Sequence, residues 1–243
     1  MRRLAILIMA LIVILGIVNL THADVINGGF ETGDLQGWNA IGTVTVSTAS
    51  FGSGPTQGSY EALITNNGPS SDLVPFIGIP WGMCAGGNWC IGSAIRQSFY
   101  ATKGGTLSFD FNLLTNESNY IDQWGGVDWQ YPDYAFFRLY SQSDEYKWVK
   151  LAEVPLPIFP ESPSSHNTNT IYFQELGFQT FSYNFTEYDL YTLVIGVVNV
   201  GDAAVESALL IDNIKITVPE PATMLLLGLG LVGLAVIRKR IRN

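Results

Sequence analysis

Thr106-Leu107-Ser108-Phe109-Asp110-Phe111-Asn112-Leu113 puts a large apolar side chain at every second position and a polar one between. Successive side chains of a strand point to opposite faces, so Leu107, Phe109, Phe111 and Leu113 are expected to face a core and Ser108, Asp110 and Asn112 to face away from it. Phe181, Tyr183 and Phe185 repeat the pattern, and Ile214, Ile216 and Val218 alternate with Lys215 and Thr217. Strands are also expected over 44–48, 62–65, 95–100, 135–140, 147–154 and 192–200, which makes about nine in all. Gly, Asn and Pro interrupt the chain between them, and no long helical period intervenes. The pattern predicts an all-β β-sandwich over residues 24–218, with no linker or repeat dividing it.

Composition narrows the function. Hydrophobic residues make up 47% of the 243 and charged residues only 14%, enough apolar surface to exclude general disorder. The 21 acidic against 12 basic residues exclude nucleic acid as a partner. The charge is also unevenly placed: six of the basic residues lie at the two ends, and residues 24–218 carry 20 acidic and 6 basic groups.

Both ends are greasy and basic. Arg2-Arg3, an apolar run over 4–18 and the small-residue pattern Thr21-His22-Ala23 have the order of a secretory signal peptide, residues 1–23, cleaved after Ala23. At the other end Pro219-Glu220-Pro221 precedes an apolar run over 222–237 and then Arg238-Lys239-Arg240. Sixteen helical residues reach ~24 Å against a hydrocarbon core of ~30 Å, a gap that snorkelling basic side chains and local thinning can close. A single C-terminal transmembrane helix is therefore expected, with its basic tail in the cytoplasm and the acidic body exported.

The order of tripeptide, apolar run and basic cluster over residues 219–243 resembles the PEP-CTERM sorting signal of Gram-negative bacteria. The resemblance implies an exosortase-type membrane protease as partner, and a tail that acts as an address and temporary anchor. It also implies a final location at the cell surface or in the extracellular matrix. The two prolines suit this role because they deny the segment helix and sheet pairing and hold it extended for a protease to grip.

Three long loops are expected, over 66–92, 115–133 and 155–170. The first holds the two cysteines, Cys84 and Cys90, which an oxidising compartment would join. So short a ring would stabilise by about 2 kcal/mol, mostly by ordering its loop.

Asn27-Gly28-Gly29-Phe30-Glu31-Thr32-Gly33-Asp34-Leu35-Gln36-Gly37-Trp38 and Ile211-Asp212-Asn213-Ile214 together resemble the first and last strands of galactose-binding-like jelly rolls, including many carbohydrate-binding modules. A Gly-Gly turn with φ > 0, Phe30 plugging the sandwich and Trp38 closing its end explain the first stretch structurally. In the modules so resembled, a carboxylate after that Phe and an Asp on the last strand help to hold a structural calcium ion. Glu31 and Asp212 stand at matching positions, and two carboxylates with backbone carbonyls could supply the six to eight oxygens calcium needs. Solvated caps are the alternative.

Catalytic candidates are few. After signal-peptide removal His166 alone remains, in a Pro/Ser/Asn loop, and no nucleotide-binding or Gly-x-Ser-x-Gly motif occurs. No enzyme is expected; a carboxylate-based glycosidase acting on polysaccharide is the alternative, since it needs no histidine. Aromatic residues in or beside the loops, Trp81, Trp89, Trp124, Trp129, Tyr131 and Tyr134, could stack on sugar rings or cap the sandwich. Trp124, Trp129 and Tyr131 are the expected ligand contacts, with extracellular polysaccharide as the ligand; a purely structural surface or matrix component is the other non-catalytic reading. Asn116 and Asn184 fit the N-glycosylation pattern, which carries little weight in a bacterial host.

Overall fold

The computed structural model describes residues 25–68, 73–78, 91–116, 133–141, 148–155, 169–199 and 205–218, with Gly228, Gly230, Gly233 and Arg238 as isolated helical positions. Among these residues the strands are, in chain order, β1 (Asn39–Ile41), β2 (Val44–Ser47), β3 (Glu61–Thr65), β4 (Ile91–Ala101), β5 (Thr106–Thr115), β6 (Tyr134–Ser141), β7 (Trp148–Pro155), β8 (Gln174–Glu175), β9 (Gln179–Asn184), β10 (Asp189–Asn199) and β11 (Ser207–Thr217). One short helix, α1 (Leu73–Ile77), and a 3-10 turn, Ala49–Phe51, accompany them.

The first sheet has the order β1-β4-β10-β6-β7 and the second β2-β3-β11-β5-β8, with β9 also paired to β5. All pairings are antiparallel. The two sheets face each other across a core that takes Leu107, Phe109, Phe111 and Leu113 from β5, as the alternation predicts. Phe137 sits edge-on to Phe109 and Phe111 at 4.8 and 4.9 Å, which locks β6 of one sheet over β5 of the other. Between β1 and β2 the chain crosses from one sheet to the other at Gly42, whose φ is +78°.

Both outer faces are partly covered. Leu73, Val74 and Ile77 of α1 pack on Ala94, Phe136, Val194 and Val198 of the first sheet. Phe51, Tyr172 and Phe178 pack on Leu63, Leu114, Ala208 and Leu210 of the second. Central strands buried on both faces read as apolar runs rather than alternations, as in Leu193-Val194-Ile195-Gly196-Val197-Val198.

The expected strands all form, with shifted ends. β11 begins at Ser207, well before the expected 214, because a bulge interrupts its alternation: the register with β5 shifts between Asp212 and Lys215, and Asn213 has φ +55°. Leu209 and Ile211 face the core before the bulge, Ile214 and Ile216 after it. β1, β8 and α1 were not expected from the sequence.

The sandwich lies within one compact unit, Ala23–Thr217; Val218–Asn243 belongs to a second. Among the described residues no helix is long and apolar enough to cross a membrane, and the expected span over 222–237 falls largely outside them. The expected signal peptide and the Cys84–Cys90 pair lie outside them altogether.

Candidate functional site

Residues 25–38 form a tight coil that seals one end of the core. Phe30 is fully buried, its ring 5.8 Å from that of Trp38, and Trp38 Nε1 donates to the Asn27 carbonyl at 3.3 Å. Gln97 of β4 pins the coil: its Oε1 accepts from Ile26 N at 2.7 Å, and its Nε2 donates to the carbonyls of Ile26 and Gly37, both at 3.0 Å. Asn27 (φ +52°), Phe30 (φ +56°), Gly33 (φ +74°) and Gly37 (φ +85°) are left-handed, whereas the Gly28-Gly29 pair is not. Gly28 and Gly29 serve close approach instead. A Cβ on Gly28 would collide with the carbonyl oxygen of Ile214 at the β11 bulge, and one on Gly29 would lie 2.9 Å from Gln57 Oε1.

Gly29 also separates the two expected calcium ligands: its Cβ position lies 3.6 Å from Glu31 Cγ and 3.7 Å from Asp212 Oδ1. Glu31 reaches the other way too, accepting from Ser59 N at 2.9 and 3.1 Å and from Tyr60 N at 3.1 Å. Its carboxylate thereby clamps the loop that enters β3.

Asp212 belongs to a row of carboxylates that crosses the second sheet. The register places it opposite Asp110 of β5, and one step beyond the Ile211–Ala62 pair it meets Glu61 of β3. Ala62, Ile211, Phe109 and Phe111 face the core, so Glu61, Asp212 and Asp110 line up on the outer face. Thr56 and Gln57 strap across Asp110 and Asp212. Thr56 Oγ1 lies 2.8 Å from Asp110 Oδ2 and 3.0 Å from Asp212 Oδ2, and Gln57 N donates to Asp212 Oδ2 at 2.7 Å. Asn213 donates its backbone N–H to Asp212 Oδ1 at 2.6 Å and its amide to Asp110 Oδ2 at 2.9 Å; Thr180 completes Asp110 at 2.6 Å.

The three acids differ in how well their charge is met. Burial opposes ionisation of Asp110, but hydrogen bonds from Thr180, Asn213 and Thr56 and the field of Lys215 outweigh it, leaving its pKa below the ordinary carboxylate value. At Asp212 burial outweighs the bonds from Gln57, Asn213 and Thr56, and the pKa rises. Glu61 is fully buried with no hydrogen-bond partner for either oxygen, and burial together with the Asp212 charge pushes it up to about 8. Among the described residues no three carboxylate, imidazole or thiol groups converge as a metal centre, so an ion here would draw on backbone carbonyls as well. The cradle at Gly29 and the bare Glu61 oxygens both fit a cation.

The outer face of the first sheet carries a different feature. Beyond the part covered by α1, Tyr100 of β4 and Tyr188, just before β10, stack with centroids 5.8 Å apart and ring planes 10° from parallel. They are 51% and 64% exposed, two of four large exposed apolar side chains among the described residues. Beside them Ser98 and Thr192 share a hydroxyl hydrogen bond of 2.7 Å.

Trp124, Trp129 and Tyr131, with Trp81, Trp89 and His166, lie outside the described residues. Tyr134 is described and packs against the α1 cluster. Asn116 accepts from Phe173 N, and Asn184 from Thr106 Oγ1, so both side chains serve the fold. Glu61, Asp110, Tyr100 and Tyr188 were not singled out from the sequence; the signal for Glu61 is a lone acid opening an otherwise apolar strand.

β11 ends at Thr217, and from there the chain runs through Pro219-Glu220-Pro221 and the apolar stretch to Arg238-Lys239-Arg240. Residues 217–240 are a PEP-CTERM protein-sorting motif. The motif marks an exported protein sorted to the cell envelope. Pro219, Glu220, Pro221, Lys239 and Arg240 lie outside the described residues, while Arg238 is helical.

No curated protein matches the chain in sequence. Its structural neighbours include the carbohydrate-binding module TmCBM61, solved with β-1,4-galactotriose: 12% identity, TM-score 0.43, covering 80% of this chain and 97% of that one. The K1 cleaved adhesin domain of Lys-gingipain from Porphyromonas gingivalis W83 is 12% identical, with TM-score 0.41 and coverages of 79% and 96%. CBM28, a module specific for non-crystalline cellulose, is 16% identical, with TM-score 0.38 and coverages of 80% and 95%.

Proposed function

We propose that the chain is a non-catalytic, carbohydrate-binding component of the cell surface or extracellular matrix, delivered by its PEP-CTERM tail through an exosortase-type protease. The observation that carries the binding half of this reading is the Tyr100–Tyr188 pair. Two parallel rings, each more than half exposed, cost the fold apolar burial and offer flat faces to the C–H groups of a sugar ring, with the exposed Ser98 hydroxyl, held by Thr192, alongside. Trp124, Trp129 and Tyr131 are proposed as further contacts. A glycosidase gains nothing from the acidic row, because Glu61, Asp212 and Asp110 are buried, and the Thr56–Gln57 strap ties down the two aspartates, away from any substrate.

Calcium is proposed as a structural ion, with Glu31 and Asp212 among the residues that would hold it. When bound it would neutralise clustered carboxylates and tie the 25–38 coil, the loop before β3 and the last strand to one another. The protein's own groups already converge there: Glu31 holds Ser59 and Tyr60, and Asp212 holds Gln57 and Asn213.

The test is retention of the purified protein on exported polysaccharide and on a glycan array. Wild type should bind, and the double variants Tyr100→Ala/Tyr188→Ala and Trp124→Ala/Trp129→Ala should each bind at least tenfold more weakly. Absence of wild-type binding would remove the carbohydrate reading and leave a structural envelope component.

A further inference from the structure

We infer that Glu61 and Asp212 form a divalent-cation site on the outer face of the second sheet, and that Glu61, rather than Glu31, is the carboxylate that partners Asp212 there. The inference rests on the calcium reading above and moves its centre by one strand.

Hydrogen-bond accounting carries it. Asp110 accepts from Thr56, Asn213 and Thr180 and also lies in the field of Lys215, so its charge is met. Glu31 accepts from the backbone N–H groups of Ser59 and Tyr60 and is exposed, so water meets the rest of its charge. Glu61 alone in this neighbourhood has two oxygens with no donor, on a side chain that is 0% exposed. A buried carboxylate without donor or counter-charge is among the most expensive groups a fold can contain.

Charge accounting points the same way. Among the described residues, the charge that acts on Glu61 is that of Asp212, which repels it. Lys215, the basic side chain of this region, gives its ammonium group to Asn213 Oδ1 at 3.2 Å, and its field falls on Asp110. Glu61 and Asp212 are neighbouring buried acids on adjacent strands, and among the described residues no basic group offsets the charge of either.

The chemistry of the donors selects the ion. All are oxygens, which excludes a preference for zinc, and the geometry is an irregular junction of loop and sheet rather than an octahedral cage. Calcium accepts that irregularity and fills its shell with carbonyls and water, whereas magnesium does not. Bound there, it would fasten β3 to β11 beneath the Thr56–Gln57 strap.

The experiment compares thermal unfolding of the full-length protein in calcium and in chelator for wild type, Glu61→Gln and Glu31→Gln. Wild type should gain about 5–10 °C at a hundredfold excess of calcium over its Kd. Glu61→Gln should lose that gain and, in chelator, melt no lower than wild type, because the isosteric amide relieves the repulsion. Glu31→Gln should melt lower in both conditions yet keep the calcium gain. If Glu61→Gln keeps the gain and Glu31→Gln loses it, Glu61 is not the ligand and the calcium reading stands in its earlier form. If wild type gains nothing, both readings fall. Should Glu61→Gln not fold, Glu61→Asp decides: it withdraws the carboxylate by one methylene and must weaken calcium at least tenfold by calorimetry, and unchanged affinity overturns the assignment.

Discussion

Glu61 makes stability depend on pH in an unusual direction. Its folded-state pKa of about 8 lies above the ordinary 4.5, so the folded protein binds a proton that the unfolded chain gives up in between. The contribution is complete below about 4.5 and is lost as pH rises through about 8. In chelator, wild type should therefore lose stability from pH 5 to about pH 8 and level off above it, while Glu61→Gln, which has no proton to lose, should show a flatter profile by denaturant titration. A wild-type profile as flat as that of the variant would show that Glu61 has a partner in solution. Glycine gives a second contrast at this scale. Gly28 is not left-handed, but a methyl there meets the Ile214 carbonyl; Gly177 is left-handed at φ +72° with nothing near its Cβ position. Gly28→Ala should cost at least ~2 kcal/mol by urea unfolding, and Gly177→Ala about 1 kcal/mol from backbone strain alone. The reverse order would show that the coil yields where it meets the bulge.

Among the elements, α1 is the one whose hold on the sandwich can be separated from the rest. Arg96 of β4 lies 4.4 Å above the Phe76 ring and donates from Nη1 to the Phe76 carbonyl at 2.9 Å. Each contact is worth about 1 kcal/mol, and neither reaches the inter-sheet core. Arg96→Ala should speed amide exchange across residues 73–78 about tenfold or more while shifting the melting temperature by less than about 3 °C. A large fall in melting temperature instead would mean that α1 is part of the cooperative core. This helix also marks where reading the sequence stops. β5 was legible because its apolar side chains repeat at period two, and β10 because an unbroken apolar run suits a strand buried on both faces. Five residues with a central proline carry no helical period, so Leu73-Val74-Pro75-Phe76-Ile77 read as loop. The first half of β11 was missed because Asn213 resets its parity. The candidate site was less legible still. Glu31 and Asp212 stood out only through a resemblance, and Glu61, Asp110 and Asp212 become neighbours only when three strands distant in sequence settle into register. Tyr100 and Tyr188 lie 88 residues apart and meet because β4 pairs with β10.

For the whole molecule, the sorting motif and the sandwich meet at Thr217, the last residue of β11. β11 is a central strand, paired with both β3 and β5, so the fold holds the chain firmly up to the point where the motif begins. Two prolines follow at once, and a segment that cannot join a sheet cannot be drawn into this one. Recognition of the tail should then be independent of the fold. Replacing Pro219, Glu220 and Pro221 together by alanine should leave thermal unfolding of the sandwich unchanged within about 1 °C, since all three follow its last strand. In the host, the same triple variant should be exported as before but accumulate at full length in the membrane fraction, whereas wild type should appear at the cell surface with the mass of a chain shortened near residue 219. Identical masses and fractions for the two would show that the tripeptide is a spacer and that the address lies elsewhere in the motif. A fall in melting temperature would show instead that the last strand depends on the segment after it.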